Sequence, residues 1–181
     1  EARFYVGESY YRLNEIAKAL PFYQALASDM NFSMGTRVVG RIAEIQFRLG
    51  QYENAVTHFH RLERIASNKK EQYNAWAGLM ESFYLLAQYH SSSAYARTIL
   101  ERGAVDPAAS NKASLYLGKN AYAKGDFVTA QDEFVSTVNT ARDEYGAEAK
   151  YLIADILSQQ KQYKQSNETL IGLTNDFSSY D

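Results

Sequence analysis

The chain has 181 residues, 46% of them hydrophobic and 22% charged, with a formal net charge of −2. That balance is globular rather than disordered, and it lacks the basic face that nucleic acid requires; the longest basic run is Lys69-Lys70. Absence of Cys excludes disulfides, thiol catalysis and Cys-based zinc sites, and no apolar run approaches the ~18 residues of a membrane span, so no direct membrane insertion is expected.

Apolar spacing predicts a first helix from about Ala2 to Leu13, with Phe4, Val6, Gly7, Tyr10 and Leu13 inward and Asn14 at its end. Its partner runs from about Glu15 to Ser28, turning Ile16, Ala19, Leu20, Tyr23 and Leu26 inward. Pro21 sits beyond the first turn of that helix, where it costs a hydrogen bond and predicts a bend. Met30 to Gly35 is the next turn. Thr36 to Leu49 follows, with Val39, Ile42, Ala43 and Gln46 facing its partner and Gly50 free to stop it. The return helix, Tyr52 to Ile65, carries Tyr52, Ala55, Phe59 and Leu62, and Ala66 to Lys70 is a polar connector.

A third pair begins near Glu71 with Trp76, Leu79, Met80 and Phe83. In its second helix, about Tyr89 to Arg102, Ser91-Ser92-Ser93, Ala94 and Ala96 replace larger side chains, which allows closer approach or leaves a softer joint. Gly103 to Pro107 is the clearest boundary, since Gly ends helices and Pro opens them. Two more pairs follow, about Ala108–Lys124 with Phe127–Ala141 and Tyr145–Lys161 with Tyr163–Phe177.

One passage recurs through all five pairs. LGKNAYAKGDFVTAQDEF from Leu117 is echoed by IAEIQFRLGQYENAVTHF from Ile42 and VGESYYRLNEIAKALPFY from Val6. Looser copies start at Leu79 and Ile153, so successive copies lie 36 to 38 residues apart. A period of this size predicts a solenoid of helix pairs. The repeats are placed at about 1–33, 34–70, 71–107, 108–143 and 144–181 as a single array. Glu1 falls inside a repeat and no polar capping helix follows Phe177, so the array is expected to be a piece of a longer protein or to associate with itself through its uncapped ends.

Catalytic signals are missing. His58 and His60 stand two apart on one helix, pointing to nearly opposite sides, whereas a helical zinc pair uses i, i+4 spacing; His90 stands apart. No phosphate loop, dinucleotide fingerprint, nucleophile elbow or metalloprotease motif occurs. Asp132-Glu133 and Asp143-Glu144 read as solvated charge. The expectation is a non-enzymatic chain without cofactor or metal. Asn31-Phe32-Ser33 and Asn167-Glu168-Thr169 fit the glycosylation pattern, which is common by chance.

These residues resemble the tetratricopeptide repeat family along essentially the whole chain. Trp76, Leu79, Met80, Phe83 and Ser114, Leu117, Gly118, Ala121 follow its first-helix signature. Gly50, Tyr52, Ala55, Phe59 and Gly125, Phe127, Ala130, Phe134 follow its second. The third and fifth repeats depart from it, with Ser92 and Ser166 at the Ala place and Ala96 and Leu170 at the aromatic place. The resemblance implies an all-α, right-handed α-solenoid of about five helix-turn-helix repeats that binds proteins or peptides. The Tyr-rich style of EARFYVGESYYRL and YGAEAKYLIADI is similar to bacterial cell-envelope members of the TolA-binding and outer-membrane-assembly kind, which favours the envelope over the cytoplasm.

The resemblance also assigns a groove wall to the first helix of each pair. Tyr11, Phe47, Tyr84, Tyr122 and Ser158 fall on it, with Glu8, Glu44, Glu81, Lys119 and Asp155 a turn earlier and Arg12, Arg48 and Tyr151 beside them. An aromatic ladder beside an acidic row implies a cradle for a peptide or helix with apolar anchors and basic residues. The plain alternative is that the aromatics fill the superhelix interior. Family members that grip a chaperone's C-terminal carboxylate use Lys, Asn and Arg at these places, so acids at four of the five argue against that ligand. A structural spacer or self-association module is the other function in view.

Overall fold

A computed structural model describes residues 2–27, 35–103 and 105–177. Most of the expected turn at Met30, with Asn31-Phe32-Ser33, lies outside them. All regular structure among the described residues is helical, with no strand. They form two compact units, divided after Gln88. The first holds α1 (Ala2–Arg12), α2 (Ile16–Ala27), α3 (Gly35–Arg48), α4 (Tyr52–Ile65) and α5 (Lys69–Leu85). The second holds α6 (Tyr89–Thr98), α7 (Pro107–Ala123), α8 (Phe127–Thr140), α9 (Glu144–Gln159) and α10 (Tyr163–Asp176), with a π-helical turn over Ile99–Gly103 after α6. No described helix is long and apolar enough to cross a membrane.

The period seen in the sequence reappears in the backbone. Among the described residues five take positive φ: Asn14 at 60°, Gly50 at 74°, Ala87 at 57°, Gly125 at 76° and Lys161 at 62°. At each, the next N–H bonds the carbonyl five residues back: Glu15 to Tyr10, Gln51 to Gln46, Gln88 to Phe83, Asp126 to Ala121 and Gln162 to Leu157, at 2.8–3.0 Å. This left-handed closure satisfies carbonyls that a helix end would otherwise strand. Glycine does it without strain at two turns; Asn, Ala and Lys do it at three.

Side chains hold the starts of α5, α7, α8 and α9. Asn68, Asp106, Asp126 and Asp143 each accept from backbone N–H groups of the turn they open, and Glu71 reaches back to the Ser67 N–H at 2.9 Å. Pro107 opens α7 behind the Asp106 cap, as its fixed φ favours. Pro21 leaves the Ala17 carbonyl without its usual helical donor, yet α2 continues through it to Ala27. Two inward assignments are corrected. Leu13 lies in the turn and is 66% exposed, and Val6 is exposed because an offset of two residues from Phe4 carries it about 200° round the helix. The helix expected to Arg102 is α-helical only to Thr98, where the π-helical turn begins.

Each unit has its own core. Phe4, Ala19, Tyr23, Leu26, Val38, Ile42 and Ile45 cluster in the first, and Leu115, Ala121, Ala130, Phe134, Ala149 and Ile156 in the second. Small residues set the spacing of the helices. A Cβ at Gly118 would stand 2.4 Å from Phe134 Cε1, and one at Gly78 would stand 2.3 Å from Phe59 Cζ. The serines of α6 act likewise: Ser92 is buried, and its Oγ accepts from Asn120 Nδ2 on α7 at 3.0 Å.

Candidate functional site

In the first unit, side chains of α1 and α3 join in one chain of charge-assisted bonds. Glu8, one turn from the end of α1, is only 5% exposed. Its carboxylate accepts from Tyr23 Oη at 2.7 Å, Arg41 Nε at 3.0 Å and Arg37 Nη2 at 3.1 Å. Burial alone would raise its pKa; the bond and charge of Arg41, with Tyr23 and Arg37, bring it below the ordinary value. Burial and the Glu8 carboxylate push the Tyr23 hydroxyl well up. Arg41 spends its other arm on Glu44, Nη1 to Oε2 at 2.9 Å, and Tyr11 Oη donates to the second oxygen of Glu44. Burial and Glu44 raise the Tyr11 hydroxyl in turn.

The rings on this face carry guanidinium groups. Arg41 Cζ lies 4.1 Å from the Tyr11 ring centroid, Arg48 Cζ 5.8 Å from the same ring, and Arg37 Cζ 4.9 Å from that of Phe4. Arg48 also donates to the neutral Asn14 Oδ1, and Arg12 is exposed. Phe47 is half-buried and meets the Tyr52 ring edge-on at 5.6 Å. Further along the unit, Glu81 and Tyr84 on α5 are half-buried.

In the second unit the bond between tyrosine and acid recurs. Tyr122 Oη donates to Asp155 Oδ2, and Gln159 Nε2 reaches both, at 2.6 Å and 2.8 Å. The Asp155 bond, then burial, raises the Tyr122 hydroxyl. Tyr11 to Glu44 and Tyr122 to Asp155 both span 33 residues, from one first helix to the next. Lys119 pairs with Glu148 at 2.7 Å and sits 5.0 Å over the Tyr116 ring. Tyr151 is 54% exposed and Ser158 half-buried.

The sequence-predicted residues thus fall into two groups. Glu8, Tyr11, Glu44, Arg48 and Arg12 share the α1–α3 neighbourhood of the first unit, and Lys119, Tyr122, Tyr151 and Asp155 lie on α7 and α9 of the second. The acidic row on α1 and α3 is not open: Glu8 and Glu44 are already held by arginines and tyrosines. Arg37, Arg41 and Gln159 escaped the sequence reading. The signal for the first two was present, as arginines four apart on α3, with Arg41 three residues before Glu44. His58 Nδ1 lies 3.1 Å from the Asn54 carbonyl and His60 Nδ1 3.3 Å from Glu63, so the two imidazoles have separate partners. Among the described residues no three His, Asp or Glu side chains gather closely enough to hold a metal ion.

Comparison with known proteins supports the tetratricopeptide repeat family. The family's sequence model, described as Tetratricopeptide repeat, matches residues 1–29 and 41–67. MamA 41-end from Desulfovibrio magneticus RS-1 is similar in structure, with a TM-score of 0.79 at 13% identity over 99% of this chain and 96% of that one. A kinesin light chain of nearly identical TPR-like repeats, from Podosopora anserina, gives 0.70 at 11% identity over 97% and 93%. YrrB, described as a TPR protein with an unusual peptide-binding site, gives 0.68 at 16% identity over 96% and 84%. No curated protein sequence matches the chain. At these identities the likeness shows the fold: an all-α solenoid of helix-turn-helix repeats.

Proposed function

We propose that the chain is an interaction scaffold that takes a peptide or helical partner along the first-helix wall of a single array, repeats 1–33 to 144–181. The wall carries Glu8, Tyr11, Arg12, Glu44, Phe47, Arg48, Glu81, Tyr84, Lys119, Tyr122, Tyr151 and Asp155. One observation carries the reading: the tyrosine–acid bond that recurs at the same 33-residue span in both units. A ring fixed by a hydroxyl bond and left half-exposed offers apolar area at little further entropic cost, which suits recognition. The peptide-binding site named for YrrB supports the same kind of ligand. A place among the cell-envelope repeat proteins is part of this proposal and rests on the Tyr-rich style of the first and fifth repeats.

The test is selection from a displayed peptide library on the full chain, repeated with a Tyr84→Ala, Tyr122→Ala variant whose helicity has been checked. Peptides held by the original and lost by the variant are the expected result. Selection unchanged by the variant, or none, would overturn the wall as a binding surface. It would shift the weight to a spacer or self-association role.

A further inference from the structure

We infer that the α1–α3 face takes an acidic segment of a protein partner, with Arg12, Arg37 and Arg48 meeting its carboxylates; this names the partner class for the reading above and rests on it. The sequence pointed to a basic ligand because Glu8 and Glu44 were counted as open charges. Both are spent within the protein. Glu8 is buried, with both oxygens taken, and Glu44 has one oxygen on Arg41 and the other on Tyr11.

The cations are in surplus. Against those two carboxylates stand four guanidinium groups, two of them paired with Glu8 or Glu44. Arg37 keeps 51% of its side chain exposed and reaches Glu8 through Nη2 alone. Arg48 is exposed and bonded to a neutral amide oxygen, and Arg12 is exposed with no carboxylate partner among the described residues. Stacking is what makes the surplus useful. A guanidinium lying over a ring is held in place while its in-plane N–H groups stay directed outward, the geometry a carboxylate accepts in two bonds. Arg37 over Phe4 and Arg48 beside Tyr11 are placed in this way. Phosphate has matching chemistry, but a chain of net charge −2 lacks the broad positive field that draws a nucleic-acid backbone. An acidic peptide with aromatic neighbours fits better: its carboxylates meet the arginines and its rings meet Tyr11 and Phe47.

The experiment uses the full chain and fluorescence anisotropy with four labelled probes: a short peptide of Glu and Phe, the same peptide with Gln or with Lys for every Glu, and a single-stranded oligonucleotide of equal length. The Glu peptide should bind at least about tenfold tighter than the Lys peptide, and the margin should shrink between about 50 and about 300 mM salt. Arg37→Gln with Arg48→Gln should weaken it about tenfold, and Lys161→Gln in the turn between α9 and α10 should leave it unchanged. Should the first pair fail to fold, Arg12→Gln with Arg48→Gln makes the same test without touching Glu8. Binding of the Glu peptide that ignores these variants overturns the inference. So does equal or better binding of the Lys peptide or the oligonucleotide, or no binding of any probe. A Gln or Lys peptide that is held and then released by Tyr84→Ala, Tyr122→Ala would keep the wall as a binding surface while sinking its acidic preference.

Discussion

Glu8 shows how one side chain changes meaning between sequence and structure. By position it belongs to a ligand-facing row; by burial and bonding it holds α1, α2 and α3 together through Tyr23, Arg41 and Arg37. Its folded pKa lies below the ordinary 4.5, because the arginines and the Tyr23 bond outweigh burial. The unfolded chain therefore takes up the proton more readily. Stability from this group is present in full above the ordinary carboxylate value and is lost as pH falls through the lowered one. Glu8→Gln should cost about 1–3 kcal/mol at neutral pH, with the gap to the original narrowing at about pH 3. Urea titrations at the two pH values decide it; a gap independent of pH would mean the carboxylate's charge contributes nothing. Gly118 is a residue of the opposite kind, needed for what it lacks. Gly118→Ala sets a Cβ 2.4 Å from Phe134 Cε1, so the ring or the helix must move. A loss of about 1–3 kcal/mol is expected in chemical denaturation, and an unchanged midpoint would show that the ring swings aside freely.

At the level of elements, the five turns within pairs test how far the local sequence governs the chain. Gly50 and Gly125 announce their turns, because only glycine enters the left-handed region freely. Ala87 and Lys161 adopt the same backbone with no such signal, and only their distance from the glycines marks them. Legibility here came from the period rather than from the residue. The same holds for α6, whose small side chains read as closer approach or a softer joint, while the widening into a π-helical turn at Ile99 had no local cue. Residues forced into positive φ are sites for improvement. Ala87→Gly should stabilise by about 0.5–1 kcal/mol, and Gly125→Ala should destabilise by about 1 kcal/mol, both read from denaturation midpoints. If Ala87→Gly proved neutral or harmful, the greater freedom of glycine in the unfolded chain would outweigh relief of the turn.

For the whole molecule, a repeat tells which positions correspond from one pair to the next: Tyr11 meets Glu44 within the first unit, and Tyr122 meets Asp155 at the same span within the second. It does not tell which opposite charges meet across neighbouring helices. Arg37 and Arg41 recur at no equivalent position in the other repeats, so nothing periodic flagged them as the partners of Glu8 and Glu44. The same one-dimensional logic bears on stability. In an array of helix pairs each element packs on its neighbours, so a group of pairs with its own core needs little from elsewhere. The second unit's cluster draws Leu115, Ala121, Ala130, Phe134, Ala149 and Ile156 entirely from α7, α8 and α9. Asp106, Asp126 and Asp143 cap the starts of those helices from within the same unit. Residues 89–181 expressed alone should therefore fold, giving a helical circular dichroism spectrum and a single cooperative urea transition. Within that fragment, Phe134→Ala should cost about 3–5 kcal/mol, a large fraction of a small unit's stability, and should lower the urea midpoint sharply. A fragment that is helical but melts without cooperativity would instead show that the first unit supplies part of its stability.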